Sequence, residues 1–506
     1  MEFSAKDREQ LQGHGLSVET VLGQLDRMSE ARHALRVLRP AVPGDGIEVL
    51  SEQERNRLES SYDTLMQGRR CLKFVPASGA ATRMFKKWFQ MMGDCTPEAA
   101  SELAETLPRY PFYPQLAEAL RSKGTSLDKL DGPADYADLL RFILTEEGWG
   151  FGRMPKGLLP FHLYGEKVRT AFEEHWVEGA SYAVGGDGRI RLHFTVSPEH
   201  EEAFRKLAVQ LKTVYEKVTG YMFEVDFSQQ MPETDTVSLD SDGNLFRDSE
   251  GRIVFRPGGH GSLLLNLNRL DADVVFVKNI DNVTTDALRG DTIHYKKCLA
   301  ALLLERQQAC FEALRQLDAG ADEARLSAIE RMMREDLQMA FPAGYGSFGL
   351  SQRVDYCRRQ LDRPIRVCGM VKREKDPGGG PFWVEKDGVP SLQIVETSEM
   401  DLEDAAQRQC LDDSQYFNPV DLVCSWNGYQ GGRFDLQKHV DNSRYFTTEK
   451  SSAGKTLRVL EHPGLWNGSM SDWITLFVAV PLSTFTPVKT VEDLLRPAHV
   501  FTSNTR

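Results

Sequence analysis

The sequence predicts an α/β fold in which a mixed, mainly parallel sheet is flanked by helices. Leu72–Val75 form a short apolar run, which is followed by a loop of small residues and the start of an amphipathic helix. Residues 189–229 read as strand, amphipathic helix and strand, an order typical of a parallel crossover. Residues 271–283 read as a buried strand that ends in polar residues. In such sheets ligands bind beyond the carboxyl ends of the strands, which is where we expect the site.

The rest of the chain is predicted in order. Residues 1–70 are charged and have apolar residues three and four apart, which predicts a helical N-terminal extension. Residues 71–430 are the predicted core, with helical insertions at about 97–147 and 295–341. Residues 431–506 are the predicted C-terminal segment.

Composition narrows the function classes. Of the 506 residues 41% are hydrophobic, enough for a sizeable core, and the net charge of −13 argues against general binding to nucleic acid or an anionic membrane. A local positive pocket for small anions remains compatible with that charge. The eight cysteines are scattered, with no CxxC pair and no metal-ligand spacing, which in a chain of this length indicates reduced, mostly buried thiols. Because we find no secretory signal and no apolar run of about 20 residues, we expect a cytoplasmic protein.

The segment PASGAATRMFK contains a loop of small residues between a predicted strand and a predicted helix. Backbone N–H groups at the start of a helix suit an anion, and Arg83 can donate two hydrogen bonds to phosphate oxygens. The loop lacks the GxxxxGKS/T spacing of a Walker loop. On its own the segment is more typical of a tight turn with a solvated arginine.

A second glycine-rich loop, in FRPGGHGSLLLNL, precedes a predicted short helix and strand. It contains three glycines and a histidine: Gly258, Gly259, His260 and Gly261. Glycines allow the backbone to reach a flat base edge that side chains would block, and the histidine can contact phosphate or sugar. Three polar residues follow the strand, at its carboxyl end: Asn279, Asp281 and Asn282. The structural alternative is a plain turn, with Asp281 as a helix cap.

Together the two loops resemble those of sugar nucleotidyltransferases of the UDP-sugar pyrophosphorylase type. The first resembles the signature L-A-G-G-x-G-T-R-M/L, with matches at Gly79, Thr82, Arg83 and Met84. Ser78 and Ala81 stand where that family usually has glycine. The second resembles P-x-G-H-G-D followed by a strand and N-I-D-N. The resemblance implies a Rossmann-like, glycosyltransferase-A-like nucleotidyltransferase core, in a divergent bacterial subfamily known only as a domain of unknown function.

On the phosphate side, the resemblance implies nucleotide contacts from the first loop: Ser78, Gly79, Ala80 and Thr82. The segment RMPKGLLPF resembles the family's P-K-x-L-L-P, which implies that Lys156 contacts the phosphates around the reacting α-phosphorus. Lys86 and Lys87 are rival lysines. Arg83 is implied to contact the leaving pyrophosphate, and Asp281 to hold Mg²⁺.

For the base, FSQQMP resembles the family's F-x-Q before a proline, which implies Gln229 as the reader, with Gln230 as the second candidate. The second loop is implied to contact the nucleotide as well. For the sugar, LQIVETSEMD implies Glu396, with Glu399 second. The other implied sugar contacts are Asn279, Phe417, Asn418 and Glu461. The segment TFTPVKT resembles the family's C-terminal motif and implies that Lys489 completes the positive surroundings of the sugar phosphate.

These resemblances predict a Mg²⁺-dependent enzyme that joins a nucleoside triphosphate, with UTP expected, to a sugar 1-phosphate and releases pyrophosphate. No nucleic-acid or membrane partner is expected, while the base, the sugar and the oligomeric state stay open. One alternative is a glycosyltransferase on the same fold, because Asp271-Ala272-Asp273 is a DxD, although it precedes its strand rather than following it. Another is a nucleotide-sugar-binding protein without catalysis, suggested by Ser78 and Ala81.

Overall fold

The computed structural model describes residues 3–30, 35–373, 378–452 and 455–500. Contacts divide the chain into two compact units, each built from three stretches. Unit 1 comprises Met1–Arg70, Ser228–Phe276 and Cys298–Val480. Unit 2 comprises Cys71–Phe227, Val277–Lys297 and Pro481–Arg506. The boundaries predicted at residues 70 and 430 stay a prediction.

Unit 2 carries the predicted strand–helix–strand crossover. Three strands follow in the sheet order Cys71–Pro76, Arg189–Thr195 and Met222–Ser228, and the first two are parallel. Two further strands, Pro160–Tyr164 and Lys167–Thr170, form an antiparallel pair. The helices of unit 2 are Lys86–Gly93, Pro97–Thr106, Tyr113–Ser122, Pro133–Leu144, Ala171–Tyr182 and Glu201–Thr219.

The helix of this crossover shows why the sequence folds in this way. Apolar residues three and four apart form its buried face: Phe204, Ala208, Leu211 and Tyr215. The helix ends at Gly220, whose φ of +74° is readily adopted only by glycine. The chain then returns as strand Met222–Ser228.

The core of unit 2 is rich in aromatic side chains, each of which contributes about 2–3 kcal/mol by burial. It includes Phe85, Trp88, Phe112, Phe172 and Phe194. Ala81 and Met84, from the first glycine-containing loop, belong to the same core. The loop is therefore anchored by burial of its apolar residues.

Unit 1 contains a mainly parallel sheet. Its strand order is Val42–Pro43, Gly46–Glu48, Ile474–Ala479, Ile365–Lys372 and Asp421–Ser425. The first four strands are parallel and the last is antiparallel to its neighbour. Tyr416–Phe417 pairs with Ile365–Lys372 outside this order. Together with the parallel pair of unit 2, this confirms the predicted mixed, mainly parallel α/β class.

Two antiparallel sheets complete unit 1. The three-stranded one has the order Val37–Pro40, Gly380–Lys386 and Val389–Val395. The four-stranded one has the order Phe255–Pro257, Asp235–Leu239, Lys455–Glu461 and Phe446–Ser452. The helices of unit 1 are Ala5–Gly13, Val18–Ser29, Glu52–Leu65, Leu264–Asn268, Glu323–Glu335, Leu350–Leu361 and Ala405–Asp412.

The first 70 residues are helical only in part. Their helices begin at capping serines, and Ser4 and Ser51 each form a reciprocal capping box. Three short strands lie between the second and third helices, which the helical prediction for this segment missed. Leu11 and Val21 pack against the four-stranded sheet, so burial of apolar faces holds these helices in unit 1.

Among the described residues, three elements cross the division between the units: strand Met222–Ser228 by its last residue, strand Val274–Lys278 and helix Gly290–Asp318. Helices fill most of the two segments that the sequence predicts as helical insertions. Within the described part of the chain, none of the helices has the length and apolarity that crossing a membrane requires.

Candidate functional site

The first glycine-containing loop of unit 2 is bound to the segment that carries Lys156. The Ala81 N–H donates to the Met154 carbonyl at 3.0 Å, and the Lys156 N–H donates to the Gly79 carbonyl at 3.2 Å. The Thr82 hydroxyl also donates to a backbone carbonyl in that segment. These bonds fix the predicted phosphate loop against the predicted phosphate-contacting lysine.

The loop does not lead directly into an α-helix, which corrects the prediction. A three-residue 3-10 turn, Ala81–Arg83, comes first, and the α-helix begins only at Lys86. The dipole of that α-helix therefore starts several residues after the loop, and the predicted anion would be contacted by the loop's own N–H groups and Arg83. The exposed loop residues are Ser78, Gly79, Ala80, Thr82 and Arg83. The rival lysines Lys86 and Lys87 lie exposed on the helix, and Lys87 pairs with Glu102.

The segment after strand Val274–Lys278 is bound to the C-terminal stretch of unit 2. The Val488 N–H donates to the Asp281 carbonyl at 3.0 Å. The Thr486 N–H donates to the Asn282 side-chain oxygen at 3.0 Å. Asn282 is thus used to hold the segment TFTPVKT beside Asp281. Asn279 is half-buried at the same strand end.

Two lysines converge on the Asp281 carboxylate. The Lys156 ammonium lies 2.8 Å from Oδ2 of Asp281, and the Lys489 ammonium lies 3.2 Å from the same oxygen. Lys156 also donates to the Val488 carbonyl at 2.7 Å. We call Lys156, Asp281 and Lys489 the Asp281 cluster. Its exposure is uneven, because the side chains of Lys156 and Asp281 are 13% and 9% exposed and that of Lys489 is 53% exposed.

Electrostatics keep Asp281 ionised. Burial works to raise the pKa of the Asp281 carboxyl, but the charges of Lys489 and Lys156 outweigh burial and hold the pKa below its usual value. A carboxylate that stays charged beside two ammonium groups can exchange partners with an arriving anion or cation without a change of protonation.

The donor set of the cluster fits Mg²⁺ bound through phosphates. The described residues include no group of three or more His, Cys, Asp or Glu side chains that could form a complete metal cage. Mg²⁺ is commonly held by one or two carboxylates together with substrate phosphates and water. Asp281, the single carboxylate of its cluster, has the right chemistry to provide that protein ligand.

The second glycine-rich loop lies in unit 1, and its glycines are required by close approach. A Cβ atom at Gly259, whose φ is +79°, would lie 2.6 Å from a carboxylate oxygen of Glu461. A Cβ atom at Gly261 would lie 2.1 Å from the Pro463 carbonyl oxygen. A Cβ atom at Gly258 would lie 2.4 Å from the ring of His462. The glycines therefore admit the segment that follows strand Lys455–Glu461, and their contact with a nucleotide stays a prediction.

His260 is held in one tautomer by its surroundings. Its Nδ1 accepts a hydrogen bond from the Leu465 N–H at 3.1 Å, which places the ring proton on Nε2. The ring stacks on Trp466 with 4.5 Å between centroids. Nε2 lies 3.6 Å from Oε1 of Glu396. Trp466 is not among the predicted site residues, although a tryptophan beside a glycine-rich segment is a usable signal.

The three glutamates predicted or considered for the sugar have different partners. Glu399 is bound by Arg444 and Asn467 in the interior of unit 1. Burial works to raise the pKa of Glu396, but the nearby His260 ring and neighbouring charges hold the pKa below its usual value. Glu461 accepts from Thr448 and pairs with a lysine at 2.9 Å. Contact of any of them with a sugar stays a prediction.

The remaining predicted residues of unit 1 lie in varied surroundings. Phe417 and Asn418 are buried, and the Asn418 amide is used internally, donating to the Gly369 carbonyl at 2.9 Å and accepting from the Val420 N–H at 3.0 Å. Gln229 is exposed, and its backbone carbonyl accepts a hydrogen bond from the Asn266 side-chain amide. The second candidate, Gln230, donates to Asp235 at 3.3 Å.

The DxD of the glycosyltransferase alternative is occupied by ion pairs and hydrogen bonds. Asp271 pairs with Arg70 and Arg433. Asp273 accepts hydrogen bonds from the Arg70 N–H and the Asn427 side chain, each at 2.7 to 2.8 Å. These contacts give both carboxylates a structural role at the start of strand Val274–Lys278.

Comparison with known proteins gives one family and several solved structures. The profile of the family described as "Domain of unknown function (DUF4301)" matches residues 4–500. No curated protein matches the chain. A mutant UDP-glucose pyrophosphorylase from Leishmania major in complex with UDP-glucose is 14% identical, with a TM-score of 0.46 over 100% of this chain and 82% of its own. The uridine diphosphate N-acetylglucosamine pyrophosphorylase from Trypanosoma brucei, in complex with an inhibitor, is 12% identical, with a TM-score of 0.48 over 97% and 79%.

Proposed function

The chain belongs to the DUF4301 family, and from the chemistry of the Asp281 cluster we propose that it is a sugar-1-phosphate nucleotidyltransferase. It would join a nucleoside triphosphate, UTP in the first instance, to a sugar 1-phosphate and release pyrophosphate. The observation that carries the proposal is the meeting of three separate sequence segments at one carboxylate. Each segment resembles a motif of UDP-sugar pyrophosphorylases, and each brings to this carboxylate cluster the residue that the resemblance implies.

Nucleotidyl transfer needs positioning and charge neutralisation more than covalent help. An oxygen of the sugar phosphate attacks the α-phosphorus in line, and the pyrophosphate leaves from the opposite side. Lys156, fixed through Val488, suits the α-phosphate because its ammonium is held in place before substrate arrives. Lys489 is more exposed and can turn from Asp281 toward the sugar phosphate. Arg83 can donate a pair of hydrogen bonds to the leaving pyrophosphate.

Mg²⁺ would be held by Asp281 and would neutralise charge on the triphosphate when bound. The protein's own contribution is to keep Asp281 ionised and close to two ammonium groups. When phosphate oxygens replace Asp281 as partners of the lysines, the carboxylate becomes available to a cation. Such an exchange would bind the anion and its counter-ion in one event.

Two other functions remain as outcomes of the same test. A nucleotide-sugar-binding protein without catalysis is favoured by Ala81, whose methyl group is buried where the related motif has glycine. A glycosyltransferase has less support, because both carboxylates of the DxD are engaged with arginine and asparagine side chains.

The test is pyrophosphate release from a panel of nucleoside triphosphates crossed with sugar 1-phosphates, with and without Mg²⁺. Release from one pair only, and only with Mg²⁺, is the expected result, and it would identify the substrates. Binding of a nucleotide sugar with no release from any pair would replace the proposal with a binding protein. Consumption of a nucleotide sugar in the presence of an acceptor would replace it with a glycosyltransferase.

A further inference from the structure

Two lysines of unit 2 lie in strands whose other residues are mainly apolar. Lys73 lies in Cys71–Pro76, the strand that leads into the first loop. Lys278 is the last residue of Val274–Lys278 and stands three residues before Asp281. Their side chains are 0% and 2% exposed. Lysine is almost never fully buried unless it is paired, so these two positions require an explanation.

One glutamate of helix Ala171–Tyr182 bridges the two strands. Glu178 accepts from the Lys73 ammonium at 2.7 Å through Oε2 and from the Lys278 ammonium at 2.8 Å through Oε1. The Tyr182 hydroxyl donates to the same Oε2 at 3.1 Å. We call Lys73, Glu178 and Lys278 the Glu178 cluster. It links the strand before the phosphate loop to the strand before Asp281.

The same helix also contacts the backbone next to Asp281. Nε2 of His175 lies 3.1 Å from the Ile280 carbonyl, which can only accept, so Nε2 carries the proton. Burial and the charge of Lys73 hold the pKa of His175 well below its usual value, so the imidazole is neutral. Side chains of helix Ala171–Tyr182 thus bind a lysine in each of the two strands. They also bind the backbone just after the second strand.

Stability alone does not account for such a cluster. Removing three charged groups from water costs several kcal/mol for each, and apolar residues of similar volume often give equal or greater stability. Charged groups in fixed geometry do provide positional specificity that apolar packing lacks. We propose, on the basis of the proposed function, that the Glu178 cluster is a positioning device that holds the phosphate loop and Asp281 in the arrangement that binds phosphates.

The charge of the cluster is suited to that role. Two ammonium groups face one carboxylate, which leaves an excess positive charge inside unit 2 when both lysines are protonated. Among the described residues, the groups that face Lys73 are Glu178, His175 and Tyr182 from the helix, Lys278 from the neighbouring strand and Lys296 from helix Gly290–Asp318. Burial, opposed by Glu178 and reinforced by the other lysines, lowers the pKa of Lys73 to about 7. An anion at the strand ends would favour the protonated form.

The experiment measures binding of inorganic pyrophosphate by calorimetry, with Mg²⁺ in the buffer, to the full chain and its variants. Lys73→Met and Lys278→Met each leave one lysine paired with Glu178. We expect each to bind pyrophosphate at least tenfold more weakly. Arg353→Met is the control, because it removes the partly buried partner of the buried Glu330 in unit 1, where no phosphate role is proposed. It should lose stability and bind pyrophosphate as the wild type does.

The binding results distinguish failure of the positioning role from failure of the proposed function. Equal binding by the wild type, both lysine variants and the control overturns the positioning role while leaving the proposed function intact. No binding by the wild type overturns the proposed function and this inference with it. If a methionine variant does not fold, Tyr182→Phe, which removes a single hydroxyl from the cluster, is expected to weaken binding about threefold, and unchanged binding in that variant counts against the inference.

Discussion

Unit 2 contains two clusters of the same composition and different exposure. The Asp281 cluster and the Glu178 cluster each consist of two lysines on one carboxylate, with ammonium-to-oxygen distances of 2.7 to 3.2 Å. The first reaches solvent through Lys489, whereas the side chains of the second are 2% exposed or less. The same three charges can therefore serve a ligand in one place and a scaffold in the other.

Exposure decides between these roles because it sets the cost of changing partners. At a solvent-exposed site an ammonium can leave its carboxylate for a phosphate, since water stabilises both during the exchange. In the interior, separating the same charges leaves each without compensation, and the cluster stays closed. The comparison predicts that substitutions in the Asp281 cluster change activity and that substitutions in the Glu178 cluster change stability as well.

The largest expected effect is that of Asp281→Ala. The variant removes the proposed Mg²⁺ ligand and should lower the rate of pyrophosphate release by roughly a thousandfold or more, as expected when a group acting on the reacting phosphates is lost. Its circular dichroism spectrum should stay that of the folded chain, while its unfolding midpoint should fall, because the mostly buried Lys156 loses its carboxylate partner and keeps only the Val488 carbonyl. A variant with a normal Mg²⁺-dependent rate would remove Asp281 from the site.

The next effect is on stability and concerns Glu178→Gln. Loss of the shared carboxylate leaves two buried ammonium groups without a counter-charge, which should lower the free energy of unfolding by about 3–5 kcal/mol. Urea unfolding of the full chain measures it. Glu202→Gln, which breaks an exposed pair with Lys206, is the control and should change stability by less than about 1 kcal/mol. Similar losses in the two variants would contradict the distinction between the clusters.

The two lysines of the Asp281 cluster should differ from each other. Lys156→Met removes a mostly buried ammonium that is already fixed to Val488, and should lower kcat/KM about a hundredfold. Lys489→Met removes a half-exposed one, for which about tenfold is expected, because an exposed charge is screened and must be ordered on binding. Steady-state kinetics with the substrate pair found in the panel give both values. A larger loss for Lys489→Met would place the more important phosphate contact on the C-terminal segment.

Much of the fold could be predicted from the sequence, because hydrophobic periodicity and turn residues determine single elements. The crossover from Arg189 to Ser228 and the strand before Asp281 are confirmed. The match to DUF4301 confirms the prediction of a family known as a domain of unknown function. The strands within the first 70 residues were missed because they are two to four residues long, too short for periodicity to register.

Side-chain partners were less predictable than motifs. The convergence of Lys156 and Lys489 on Asp281 could be predicted only from the resemblance to the family motifs. Each lysine is more than 100 residues from Asp281 in the sequence, so local patterns do not bring them together. The Glu178 cluster was not anticipated, although a lysine inside CLKFVP and another at the end of VVFVK contradict a fully apolar buried strand and could have been noticed. The internal use of the Asn418 amide could not be predicted, because it depends on the local course of the backbone around Gly369.

The smallest expected effect is a pH dependence of stability that belongs to the buried cluster. Because the pKa of Lys73 is lowered from 10.5 to about 7 in the folded chain, mainly by burial, the unfolded chain binds more protons between pH 7 and pH 10.5. Stability from this group therefore rises with pH in that window and is lost as the pH falls toward 7. Between pH 7 and pH 8 the gain is about 1 kcal/mol, and it should disappear in Lys73→Met, as measured by urea unfolding at both pH values. Lys206→Met, at an exposed helix position, should keep the wild-type slope. A wild-type slope in Lys73→Met would mean that Lys73 keeps its charge throughout this range, and the buried cluster would then resemble the exposed one in charge as well as in composition.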